Sequence, residues 1–275
     1  AGRNYRALLR QAASVTQQHE TIIAIAIDLN EVRDDVKQYG GGLKGGAAVL
    51  RQRMRDVEAL AGPSGLTVRG WVTDTELALK IRSAYDPAVA SRLRAHPDEV
   101  DELECAGPMA VEGQWKRVRT DSAWHQVLVV GSWPRVRVET GFLAGLSLVG
   151  EANLSISLIY KPVPDDKASR EAERANQREV GALDDRNKVG KLDTVLNKRD
   201  RVQTEQNMID LDDGHKAMDH ACLVTVTAPT REALDRAVAD VRAALRKVRC
   251  KPRTLVGVQD EVLEAGVLPL CLGVR

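Results

Sequence analysis

An α+β fold is what this sequence predicts, on three observations. Short apolar runs with strand-like alternation recur along the chain, as in TIIAIAIDL (21–29), NLSISLIY (153–160) and ACLVTVTAP (221–229). Between them lie stretches with apolar residues at helical spacing, the clearest being TREALDRAVADVRAALRKV (230–248). The third is a block from about 165 to 215 in which roughly every other residue is charged, the signs balance and proline is absent.

Taken in order, Tyr5 to Gln18 reads as a helix, and Ile23, Ile25 and Ile27 alternate within a run that reads as a buried strand. From Ala47 to Leu60, Val49, Leu50, Val57 and Leu60 recur at helical spacing until AGPSG (61–65) stops the helix. LTVRGW (66–71) reads as a second strand. Thr73 then caps a short helix, with Glu76 completing a capping box and Leu77, Ile81 and Tyr85 as its apolar stripe. Residues 86–106 are polar, with Pro97 and five acidic residues between Asp98 and Glu104, and read as a linker or short helical spacer. A boundary there separates a first α/β subdomain, 1–106, from a second, 107–275.

In the second subdomain HQVLVVGSW (125–133) and RVRVE (135–139) read as strands interrupted at Trp133-Pro134, followed by a short helix from Phe142 to Leu148. Leu154, Ile156, Leu158 and Tyr160 share one face of the next strand. The charged block carries apolar residues three and four apart: Ala168, Ala172, Ala175 and Leu183, then Leu192, Val195, Val202 and Ile209. That pattern predicts a helical hairpin at about 165–215 with a thin seam, turning near Gly181 or Gly190; a partly disordered insertion is the alternative. Thr230 opens the helix that buries Leu234, Ala237, Val238, Val241, Leu245 and Val248, and TLVGV (254–258) and VLPLCL (267–272) read as short strands. Both halves follow a βαβ plan, which predicts two ferredoxin-like layers, the second enlarged by the hairpin.

Composition narrows the function. The 40 basic residues balance 39 acidic ones, so no basic surface covers the whole molecule. One Phe, four Tyr and four Trp leave few platforms for stacking bases. Cys105, Cys222, Cys250 and Cys271 lie far apart without a C-x-x-C pair, which argues against a zinc knuckle or disulfide framework and for a reducing compartment. No apolar run approaches the ~20 residues of a membrane span, and there is no signal peptide. The chain opens at Ala1 directly into a helical pattern, so a fragment of a longer protein is expected.

Four motifs carry candidate chemistry. GGGLKGGA (40–47) suggests a phosphate loop, but Gly46 or Ala47 stands where lysine is required, Lys44 precedes the second glycine, and no hydroxyl follows for magnesium. Gly190-Lys191 is followed by Leu192 and fails likewise. TDSAWH (120–125) holds Asp121, Ser122 and His125, the residue types of a hydrolase triad, without the strained G-x-S-x-G turn; hydrogen bonding at a strand entry is the simpler reading. His215, His220 and Cys222 offer three metal ligands and no fourth, with Cys222 opening an apolar strand. Trp115, Trp124 and Trp133 fall among Lys116, Arg117, Arg119, Arg135 and Arg137. We take Trp115, Arg119, Trp133, Arg135 and Arg137 as the candidate interaction surface, against the alternative that the tryptophans pack between layers while the arginines snorkel. No catalytic, metal or cofactor site is expected.

The order Gly107-Pro108, Glu112, Trp115, Arg119, Asp121-Ser122, Trp133-Pro134-Arg135 and Phe142-Leu143 resembles a family of actinobacterial membrane-anchored conjugation proteins. Their soluble region resembles the N-terminal, non-ATPase domain of the conjugative ATPase that energises type IV secretion. LTVRGWVTDTELALKIRSAYDP (66–87), SLIYKPVP (157–164) and VTVTAPTREALDRAVADV (224–241) fit the same pattern, while Gly113 departs from it where an acidic residue is expected. The resemblance implies a DNA-transfer component anchored in the inner membrane by helices upstream of residue 1, with this part soluble and cytoplasmic. Its partners would be other secretion or conjugation subunits, the transfer ATPase among them, or further copies of itself. It implies no ATPase activity here and carries over no catalytic residue. The expected function is a non-enzymatic assembly or scaffold domain. The alternatives are a single-stranded DNA-binding module and the front of a transfer ATPase whose motor lies elsewhere.

Overall fold

The computed structural model describes residues 21–28, 31–65, 67–96, 100, 103–134, 141–148, 152–190, 192 and 194–267. The strands are β1 (Val111–Gln114), β2 (Arg117–Thr120), β3 (Ala123–Val130), β4 (Asn153–Pro162), β5 (Met218–Ala228) and β6 (Pro252–Thr254). The helices are α1 (Arg33–Gln38), α2 (Gly42–Ala61), α3 (Asp74–Tyr85), α4 (Ala90–Ala95), α5 (Asp165–Lys188), α6 (Val195–Asp212), α7 (Arg231–Lys247) and α8 (Gln259–Val267). The fold is α+β.

The strands form one antiparallel sheet in the order β1-β2-β3-β5-β4, with β6 also paired to β3. β3 and β5 are its centre, in register from Trp124 opposite Ala228 to Val129 opposite Leu223. Along the other side of β3, β2 pairs with residues 123–125 and β6 with residues 128–130. From Cys222 to Ala228 strand β5 is buried on both faces, because its alternation there sorts two environments rather than core from solvent. Cys222, Val224, Val226 and Ala228 join Leu128 and Val130 against Leu234, Val238, Val241 and Leu245 of α7. The opposite face carries Thr225, Thr227 and His125, and packs against α3 and α8.

Both caps read from the sequence are formed. Thr73 and Glu76 make the reciprocal capping box of α3, and the Thr230 hydroxyl accepts from the Ala233 N–H at 3.2 Å to start α7. Each satisfies N–H groups that the first helical turn leaves without partners. Residues 86–106 contain α4 and a 3₁₀ turn, Leu103–Cys105, and Leu93, Val100 and Ala106 are buried with Ala78 of α3. Of the two readings, linker and short helical spacer, the described residues fit the helical one, packed on α3 through Leu93, Val100 and Ala106.

Other expectations are corrected. Residues 21–28 and 67–73 belong to no strand among the described residues, and Ile23, Val68 and Trp71 are exposed. Alternation marks a face that could be buried, but a strand also needs a neighbour to complete its ladder. One sheet is therefore described, and two ferredoxin-like layers are not. The strand read at 254–258 ends at Thr254, and Gly257, at φ 80°, turns the chain into α8. The regions expected as a helix at 5–18 and as a strand at 135–139 lie outside the described residues, as does the strand expected at 267–272 except for Val267, which is instead the last residue of α8.

The chain divides into two compact units, Ala1–Ser157 with Cys222–Arg275, and Leu158–Ala221. In the second unit α5 and α6 pack against each other and turn at Val189-Gly190, with Gly190 at φ 68°, whereas Gly181 lies inside α5. Lys216 pairs with Asp165 at 2.5 Å, and Val163 donates to the Ala217 carbonyl, which closes the base of the hairpin. The seam differs from expectation. Ala168 is buried, but Val195, Val202 and Ile209 are 68%, 62% and 53% exposed. Asn197, Arg201, Thr204, Met208 and Leu211 form the less exposed stripe of α6 instead. The three apolar residues are seven apart and so lie on one side of the helix, turned away from that stripe.

Candidate interaction surface

Trp115 sits in the two-residue turn between β1 and β2 and is 71% exposed. Its carbonyl accepts from the Gly257 N–H at 2.9 Å, and its ring lies 3.4 Å from where a side chain on Gly257 would begin. The turn is thereby pinned while the indole stays open to solvent. From β2, Arg117 reaches Asp235 of α7 at 3.0 Å, and the Arg119 guanidinium lies over the Trp124 ring, 5.7 Å from its centroid. Trp133 has a different environment: half-buried, it packs on the α7-side core with its ring 6.2 Å from Phe142. Of the five candidate residues, Trp115 and Arg119 thus share the β1–β2 hairpin, Trp133 belongs to the core, and Arg135 and Arg137 lie outside the described residues.

Asp121, Ser122 and His125 take separate partners. Burial works against ionisation of Asp121, but the N–H groups of Met109 and Ala110 and the Arg82 guanidinium at 2.9 Å outweigh it and hold the carboxyl below its usual range. The Ser122 hydroxyl donates to Asp86 at 2.5 Å. His125 is fully buried with Thr120 Oγ1 at 2.6 Å from Nε2 and Thr227 Oγ1 at 2.9 Å from Nδ1. Since the Thr120 hydroxyl donates to the Tyr85 carbonyl at 3.0 Å, its oxygen accepts from Nε2–H, and Nδ1 accepts from Thr227. Burial pushes the imidazole pKa down to about 4. Both ring nitrogens are occupied by threonines, so His125 ties β2, β3 and β5 together from inside the core.

The metal-ligand types also diverge. Cys222 lies in the core with Cys250, and burial raises its thiol to about 11. His220 stacks on Tyr160, ring centroids 6.4 Å apart. Among the described residues no group of three His, Cys, Asp or Glu side chains is placed to hold a metal ion.

The glycine run has a specific packing role. Gly40, Gly41 and Gly42 all have positive φ, which sets the tight turn from α1 into α2. A Cβ on Gly45 would lie 2.2 Å from the Val36 carbonyl oxygen, so only glycine lets the two helices approach this closely. The run is thus a close-packed helix entry.

Sequence reasoning missed a groove of about 480 Å³ along α2. Arg51, Met54, Arg55 and Glu58 line it from the helix, Tyr39 from the turn before it, and Trp71 from the segment after it. Only the i, i+4 spacing of the arginines was visible in advance. Comparison of the chain with protein-family models and with curated proteins finds no match.

Proposed function

We propose that this chain is a non-enzymatic assembly domain of a conjugative, type IV secretion-like DNA-transfer apparatus, in which the charged hairpin docks membrane or motor subunits. The observation that carries the docking role is the exposed row Val195, Val202 and Ile209 on α6. Apolar side chains seven residues apart, set among charges of both signs, match what a partner helix buries along one seam, with the flanking charges selecting the partner. The type of apparatus rests on the resemblance of residues 107–146 and the segments around them. β5 and β6 flank β3 and are joined through α7, which supports a ferredoxin-like plan within this reading. Among the described residues no helix is long and apolar enough to cross a membrane. Replacing residues 165–215 by a short flexible linker in the parent tests the role. Transfer and co-assembly should both be lost, and wild-type levels of both would refute docking through the hairpin.

A further inference from the structure

We infer that the groove along α2 binds single-stranded nucleic acid, with Tyr39 and Trp71 stacking bases and Arg51 and Arg55 holding phosphates. This site is separate from the hairpin and does not depend on the docking role. The Trp71 indole N–H donates to Glu58 Oε1 at 2.6 Å, which fixes the ring beside α2 while leaving it 39% exposed. Tyr39, 49% exposed, lines the same groove from the turn between α1 and α2. Two aromatic rings therefore line one open cleft.

The charge on the groove is what selects the occupant. Arg51 and Arg55 are one helical turn apart on the face of α2 that lines the cleft, so their guanidinium groups follow one another along it. Planar guanidinium forks fit phosphate oxygens in pairs. Glu58, the one acidic side chain of the lining, is already engaged by the Trp71 N–H. Open rings interleaved with arginines suit a strand whose bases are unstacked; a duplex hides those base faces, and an acidic peptide would use the charges but not the rings.

The test is fluorescence anisotropy of the full 275-residue chain with labelled oligothymidylate and oligouridylate about 15 nucleotides long, starting near 50 mM salt. Binding should weaken steeply as salt rises. In R51Q/R55Q the slope of log K against log salt should fall by about 1.4, the release expected for two lost phosphate contacts on a single strand. Y39A and W71A should each cost about fivefold or more, and W71F, which keeps a ring and loses the Glu58 bond, should retain most of the affinity. Arg51 and Arg55 are exposed, so R51Q/R55Q should melt like the parent. The two oligomers distinguish DNA from RNA as the source of the strand. No binding of either at low salt, binding indifferent to these substitutions, or equal binding of polyglutamate would overturn the assignment.

Discussion

The side-chain amide of Gln259 completes the sheet at Val127. Its Oε1 accepts from the Val127 N–H at 2.8 Å and its Nε2 donates to the Val127 carbonyl at 3.0 Å, where β2 has ended and β6 has not begun. A carboxamide presents the same donor and acceptor as a backbone peptide, so one side chain stands in for the missing residue of the ladder. Gln259 is also the first residue of α8, so this bond sets where that helix meets the sheet.

Gln259→Leu should therefore leave the Val127 N–H and carbonyl buried without partners. The expected loss is about 2–4 kcal/mol of stability, from the cost of two unsatisfied groups. Urea unfolding of the two proteins measures it, and a loss below 1 kcal/mol would mean that water or a shifted α8 replaces the amide.

Gly266 is a further contact between α8 and the sheet. A Cβ there would lie 2.4 Å from Thr225 Oγ1 and 3.2 Å from Val127 Cγ1, so Gly266→Ala should cost about 1–3 kcal/mol by overpacking. Thr225 Oγ1 is buried with no hydrogen-bond partner among the described residues. Thr225→Ala should relieve much of the clash, making the double variant more stable than the two single changes add up to. Strict additivity in that cycle would contradict the contact.

His125 predicts a pH dependence with a definite sign. Its folded pKa of about 4 lies below its ordinary 6.5, so between those values the unfolded chain takes up a proton that the folded chain refuses. Stability is unaffected by this group above about pH 6.5, falls as pH drops through the window, and has lost roughly 3 kcal/mol by pH 4. Thr120 and Thr227 offer a glutamine the same hydrogen-bonding types, so His125→Gln should flatten this part of the stability profile. An unchanged profile would assign the acid sensitivity to other groups.

Trp115 and Trp133 should separate in their effects. Trp133→Ala removes a half-buried ring packed on the core and should cost about 1–3 kcal/mol, whereas Trp115→Ala removes an exposed ring and should cost under about 1 kcal/mol. Thermal melts of both variants decide this, and equal losses would place Trp115 in the core as well.

What could be read in the sequence were features whose cause is local. Thr73 with Glu76 and Thr230 with the stripe beginning at Leu234 fixed the starts of two helices, and the balanced charges of 165–215 marked the hairpin. Features set by distant partners were hidden. TIIAIAIDL alternates as a strand does, yet alternation names no neighbour. Gln259 looks like any polar residue until the fold brings it to Val127, 132 positions away. VEGQ and RVRT, too short and polar for an apolar pattern, pair only because the Trp115-Lys116 turn folds one onto the other. The groove rings Tyr39 and Trp71 converge for the same reason, from opposite ends of α2.

Substituting Val195, Val202 and Ile209 together by aspartate in the parent protein, and measuring its co-purification with the transfer ATPase proposed as its partner, tests docking through the hairpin. These side chains are exposed, so the isolated chain should fold with a melting temperature close to the unsubstituted one. If the row docks a partner, co-purified ATPase should fall at least tenfold. Recovery of the ATPase at wild-type yield by the triple variant would contradict it.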